Sequence, residues 1–112
     1  REGMIKYDAG EYAAAEKLLK SSLDAGLSDK ADKVRAMKHL AFSLCLQRRW
    51  SEGRQVFMDI YDLDPDFDLS PPEAGHPEWR QTFAGAKAQA KRELAAKAAR
   101  EAKEKSAAPK KN

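Results

Sequence analysis

One cysteine in 112 residues removes two chemistries at once. No internal disulfide can form, and no multi-cysteine zinc site can be assembled. Cys45 lies in LAFSLCLQ among apolar neighbours and reads as a buried structural thiol rather than a nucleophile. Histidine is nearly as scarce: His39 and His76 are the only two, and neither has a second ligand at helical metal spacing. There is no glycine-rich phosphate loop, no serine elbow and no nucleophile with a base close by. The expectation is therefore a non-enzymatic chain without catalytic residues, metal or cofactor. No apolar run approaches the roughly 18–20 residues that a membrane span needs, and no signal peptide is recognisable. The chain begins at Arg1 and reads as an excised domain or a processed product.

What is present is charge, unevenly placed. The net charge is +3, yet residues 1–86 hold 12 Lys/Arg against 15 Asp/Glu, while residues 87–112 hold 9 against 3. The basic character belongs to the tail, which argues against nucleic-acid binding by the body. The tail itself lacks aromatics to stack on bases and an apolar face to lie on lipid, so it reads as a solubilising extension with no specific nucleic-acid partner.

Apolar residues recur with helical spacing, and no segment alternates as a strand of useful length. A short first helix ends at Gly10. In EYAAAEKLLKSSLDAGL a second helix places Tyr12, Ala15, Leu18, Leu19 and Leu23 on one face and closes at Gly26. After the connection SDKAD, a third helix from about Lys33 to Gln47 carries Val34, Met37, Leu40, Ala41, Leu44 and Cys45. QRR then turns the chain, with Ser51 expected as N-cap of a fourth helix. Its Val56, Phe57, Ile60 and Tyr61 point inward, with Trp50 packing at its start. Asp64-Pro65 ends it. Pro71 and Pro72 are expected outside any helix, Pro77 in the first turn of the next, and His76 as its cap. Trp79, Phe83, Ala86, Ala90 and Leu94 mark that last helix, whose Trp79/Phe83 end should lie on the preceding pair. Beyond Leu94 the chain should fray and become disordered by Ser106.

Asp62, Asp64, Asp66 and Asp68 occupy every second position. From Asp62, acids fall at the first, third, fifth and, with Glu73, twelfth places, the spacing of a calcium loop. Such a loop needs glycine at the sixth place, where this chain has Phe67. The better reading is a helix ending at a proline, with solvent-facing acids and with Phe67 and Leu69 turned inward.

The helical blocks repeat. DAGEYAAAEKLLKSSLDAGL and LQRRWSEGRQVFMDIYDLDP superpose at an offset of 38 residues, setting Tyr12 over Trp50, Ala15 over Gly53 and Leu19 over Phe57. Gly3 and Ala41 take the matching small positions of the preceding helices, and Pro65 takes the terminal proline position. The chain resembles a pair of tetratricopeptide repeats over residues 1–68, about 1–27 and 33–66. It departs at Leu27, where proline is usual, and at Glu2, where an apolar residue is usual. Residues 69–94 then form a connection and a C-terminal capping helix, and residues 95–112 a basic Ala/Lys-rich extension. The segment DLDPDFDLSPPEAGHPEW resembles the end of repeat arrays in bacterial envelope proteins, which points to an envelope or periplasmic location, with the cytoplasm as the alternative.

The resemblance implies an all-α, right-handed solenoid that binds a peptide or partner helix in a concave groove. Carried over residue by residue, that groove comprises Met4, Tyr7 and Asp8 from the first repeat and Arg35, Lys38, His39 and Phe42 from the second. Met4, Tyr7 and Phe42 would supply apolar contact, and Arg35 and Lys38 charge selection. The family's carboxylate clamp requires an asparagine, and the only one here is Asn112. Homo-oligomerisation through the first or last helix is the alternative role, as is an accessory domain of a larger enzyme or envelope assembly.

Overall fold

The computed structural model describes residues 2–27 and 29–107, which form six helices and no strand. They are α1 (Glu2–Asp8), α2 (Tyr12–Ala25), α3 (Lys30–Leu46), α4 (Trp50–Leu63), α5 (Pro71–Ala74) and α6 (Arg80–Ala107). Among the described residues no helix is long and apolar enough to cross a membrane.

The first four helices pack on one another in chain order, α1 on α2, α2 on α3 and α3 on α4, and α1 also reaches α3. Short connections fold each back on the last. Gly26 closes α2 with φ 89°, its N–H donating to the Leu23 carbonyl. Asp29 starts α3 three residues earlier than expected, because its carboxylate accepts from the Ala31 N–H and allows the helix to begin at Lys30. Ser51 is not an N-cap. Arg48 takes φ 64°, which reverses the chain so sharply that α4 begins at Trp50. Pro71 and Pro72 also depart from expectation. They open the single turn α5, where a missing N–H costs nothing, and Ser70 with Glu73 forms a reciprocal capping box on it.

Two glycines, Gly3 on α1 and Gly53 on α4, set the helix spacing. A Cβ on Gly3 would meet Leu19 Cγ at 2.9 Å, and one on Gly53 would meet Cys45 Sγ at 2.7 Å and the Ala41 carbonyl at 3.3 Å. Gly53→Ala gains helix propensity but must push α3 away from α4, so a net loss of about 1–2 kcal/mol is expected. Urea denaturation should show that loss, and Cys45→Ala in the same chain should recover most of it.

The core has two parts. Ala15, Leu19, Ala36, Leu40 and Leu44 join α2 to α3. Phe42, Cys45, Phe57, Ile60 and Tyr61 meet Trp79, Phe83, Ala86 and Ala90 of the last helix and its approach. Burial pushes the Cys45 thiol up to about 11, partly offset by a hydrogen bond with Thr82, so the thiol is inert at neutral pH. Trp50, expected to pack, is 44% exposed, and its Nε1–H donates to the Glu78 carbonyl.

The path into α6 is a tertiary feature. Trp50 meets Glu78, Phe57 meets Phe83 and the Tyr61 ring meets Lys91, so α6 runs parallel to α4. A helix continuing the up-and-down succession would run antiparallel after a short turn. Here residues 64–79 form a strap that carries the chain back to the start of α4. His76 Nδ1 accepts from the Glu78 N–H and its carbonyl from Arg80, so it caps the turn before α6. Past Leu94, α6 continues as helix through Ser106 to Ala107 rather than fraying there. Residues 95–106 are all exposed. This overhang, about 20 Å at 1.5 Å per residue, accounts for much of the 64 Å long axis. The rest of the expected disordered tail, 108–112, lies outside the described residues.

Candidate functional site

Between α1, α2 and the first half of α3 lies an open cavity of about 770 Å³. Its apolar lining comes from Met4 and Ile5 on α1, Leu19 on α2, Leu27 in the following connection and Ala36 on α3. Asp8, Ser22, Asp32, Arg35 and His39 add the polar lining. Helical spacing explains the set: Asp32, Arg35, Ala36 and His39 follow three- and four-residue steps down one face of α3. Ile5 is the most exposed large apolar residue described, at 64%.

Four of the seven groove residues expected from the sequence, Met4, Asp8, Arg35 and His39, line this cavity together. Tyr7 stands beside them, its ring 5.1 Å edge-on from His39 and 5.5 Å from Tyr12. Burial, reinforced by Tyr12, Asp8 and Glu73, raises the Tyr7 hydroxyl to about 12, so it stays a neutral hydrogen-bonding group. His39 places Nδ1 3.0 Å from the Arg35 carbonyl, which makes Nδ1–H the donor and leaves Nε2 an acceptor in the neutral ring. Burial lowers its pKa, and Lys38 and Arg35 act in the same direction against the Arg35 carbonyl and Glu73, so neutral imidazole is favoured.

Phe42 and Lys38 are placed differently. Phe42 is a core residue, 2% exposed, because Trp79 stacks on it at 3.9 Å with the rings 9° from parallel. No partner can touch it while Trp79 is seated. Lys38 is already paired: its Nζ donates to Glu73 Oε2 at 2.9 Å. Both residues face the strap rather than the cavity. Sequence reasoning missed Ile5, Leu19, Leu27 and Ala36 as cavity residues. Leu27 was legible as an apolar side chain where the repeat pattern expects proline, but Leu19 was absorbed into the expected apolar face of α2, and Ala36 carried no signal of its own.

The aspartate segment is likewise explained by its contacts. Phe67 and Leu69 are buried, Asp68 pairs with Lys87 at 2.9 Å and Asp64 Oδ1 accepts from the Asp66 N–H. Among the described residues, no three His, Cys, Asp or Glu side chains stand together as a metal would need.

Comparison of the chain with protein-family models, with curated proteins and with solved structures finds no match in any of the three.

Proposed function

We propose that this chain is a non-enzymatic binding module that receives a partner peptide or helix in the cavity between α1 and α3. The observation that carries the reading is the cavity itself, an open apolar hollow lined by Ile5, Met4, Leu27 and Ala36, with Arg35 on its lining as the cation. Exposed apolar concavities lined by a few polar groups are characteristic of binding surfaces. The tetratricopeptide-like reading of α1–α4 is part of the proposal. It is supported by the close approach at Gly3 and Gly53, by burial of both Ala15 and Gly53, and by the α1–α3 contact. On this reading the repeat pattern ends with α4, and α6 closes the array instead of extending it.

Peptides selected from a random library on the immobilised domain provide the test. Affinity for the selected sequences is expected to fall roughly tenfold or more in Ile5→Asp and in Arg35→Glu, the scale for disrupting a residue at the centre of an interface. Circular dichroism should show unchanged helicity, since neither side chain is buried. Affinity unmoved by either change removes the cavity from consideration. The exposed Ile5 also favours a second reading, self-association through α1. Sedimentation at rising concentration separates the two, because a strict monomer leaves only the heterologous partner.

A further inference from the structure

The strap between α4 and α6 lies along α3 in the manner of a bound peptide. Phe67 lies beside Val34 and Lys38, Glu73 sits on Lys38, and Trp79 stacks on Phe42, so strap and helix meet at successive turns of α3. On its other side the strap meets α6, where Lys87 donates to Asp68 and Lys91 to the Pro65 carbonyl at 3.3 Å. Asp68 and Glu73 thus go to lysines while Phe67 and Leu69 go to the floor, as in an extended ligand held between two helices. The seat is not filled. A hollow of about 480 Å³ remains between the strap and the first half of α3, lined by Lys30, Val34, Arg35, Lys38, Asp64 and Phe67. Lys30 and Arg35 make no ion pair among the described residues.

We infer that the strap is a built-in occupant of the α3 face, and that the partner of this face is an extended acidic segment whose carboxylate takes the place of Glu73 on Lys38. The inference rests on reading α3 as the binding helix. Charge complementarity carries the choice of partner: Lys30, Arg35 and Lys38 present three cations to one acid, Asp64, and among the described residues the acid that pairs with Lys38 comes from the strap itself. Exchange is inexpensive because α5 has no buried residue. Swinging the Glu73 side chain away breaks the partly exposed Lys38–Glu73 pair and opens the α5 capping box, while the Glu73 carbonyl keeps its bond from Trp79 Nε1–H and Phe67, Leu69 and Trp79 stay seated. Pairs of this exposure contribute little individually.

The test uses a fluorescein-labelled peptide copying residues 64–75, DPDFDLSPPEAG, and a second with its four acids replaced by lysine. Anisotropy titrations compare the full chain with its variants. Glu73→Gln is expected to bind the acidic peptide roughly three- to tenfold tighter than wild type, the scale of one partly exposed charged hydrogen bond withdrawn from the competitor. Ser70→Ala, which loosens α5 without touching Lys38, should shift affinity the same way. Adding Lys38→Glu to Glu73→Gln should abolish the gain. Equal affinities of Glu73→Gln and wild type, including no binding by either, overturn the inference, as does binding that survives Lys38→Glu or extends to the lysine peptide. Binding abolished in Ile5→Asp but indifferent to Glu73→Gln keeps the cavity reading and rejects the strap as competitor. A Glu73→Gln gain that ignores Ile5→Asp supports the strap alone.

Discussion

Trp79→Ala is expected to destabilise the domain by about 3–5 kcal/mol, the range for deleting a large buried aromatic. The indole is 4% exposed and stacked on both faces, by Phe42 at 3.9 Å and by His76 at 3.9 Å. Its Nε1–H donates to the Glu73 carbonyl at 2.6 Å. One side chain thus joins α3, the strap and the start of α6. Thermal or urea unfolding measures the loss, and the effect should be local first. Hydrogen exchange should rise in residues 64–94 before it rises in α2–α4, which retain the separate cluster of Ala15, Leu19, Ala36, Leu40 and Leu44. Trp79→Phe keeps the stack and loses the donor, and should fall between wild type and alanine. Trp50→Ala serves as the control, because that ring is already half in solvent and its loss should cost far less. If Trp79→Ala and Trp50→Ala proved equally mild, the strap would not be held as described.

Glu16→Ala is expected to cost about 2 kcal/mol, the scale of a charged hydrogen-bonding group removed from a nearly dry site. Glu16 is 7% exposed on α2, yet its carboxylate meets Arg49 Nη1 at 2.5 Å, Lys20 Nζ at 2.8 Å and Gln47 Nε2 at 3.0 Å. Arg49 belongs to the α3–α4 turn and also grips Glu52, so this one acid ties the first helical pair to the second. Burial opposes its ionisation, but the hydrogen bonds from Lys20, Gln47 and Arg49 prevail and hold its pKa below the ordinary 4.5. A carboxylate depressed in the folded state stabilises above its unfolded pKa and loses that contribution as pH falls through the folded value. Wild type should therefore weaken as pH drops below about 4.5, and Glu16→Ala should show a shallower decline over that window. A parallel pH dependence in both proteins would remove Glu16 as a source of the acid sensitivity.

Much of the helix pattern was legible in the sequence because it is local. Gly26, Asp64-Pro65 and the spacing of Leu19, Phe57 and Tyr61 each act within one or two turns, and the structure follows them. The misplaced boundaries are also instructive. Ser51 has the chemistry of an N-cap, but the left-handed angle at Arg48 starts α4 earlier, and such an angle in a non-glycine residue has no periodic signature. Pro71 and Pro72 have the chemistry of helix breakers and instead begin α5, because Ser70 and Glu73 supply the cap that a one-turn helix needs. For the cavity, the sequence picked out Met4, Asp8, Arg35 and His39, which share helix faces at three- and four-residue steps. It passed over Ile5 and Leu27, whose exposure depends on how α1 and the α2–α3 connection sit against α3.

By itself the sequence determined an all-helical chain, the places where its first four helices stop, and the separation of an acidic body from a basic extension. Those follow from backbone conformation and amphipathic spacing, which are properties of neighbours. The tertiary structure alone decided that Phe42 is covered, that Lys38 is engaged and that α6 runs parallel to α4. Those outcomes depend on Trp79 and Glu73 meeting α3 from more than thirty residues away. Such contacts are selected by complementary shape and charge across the folded chain, and no local periodicity records them.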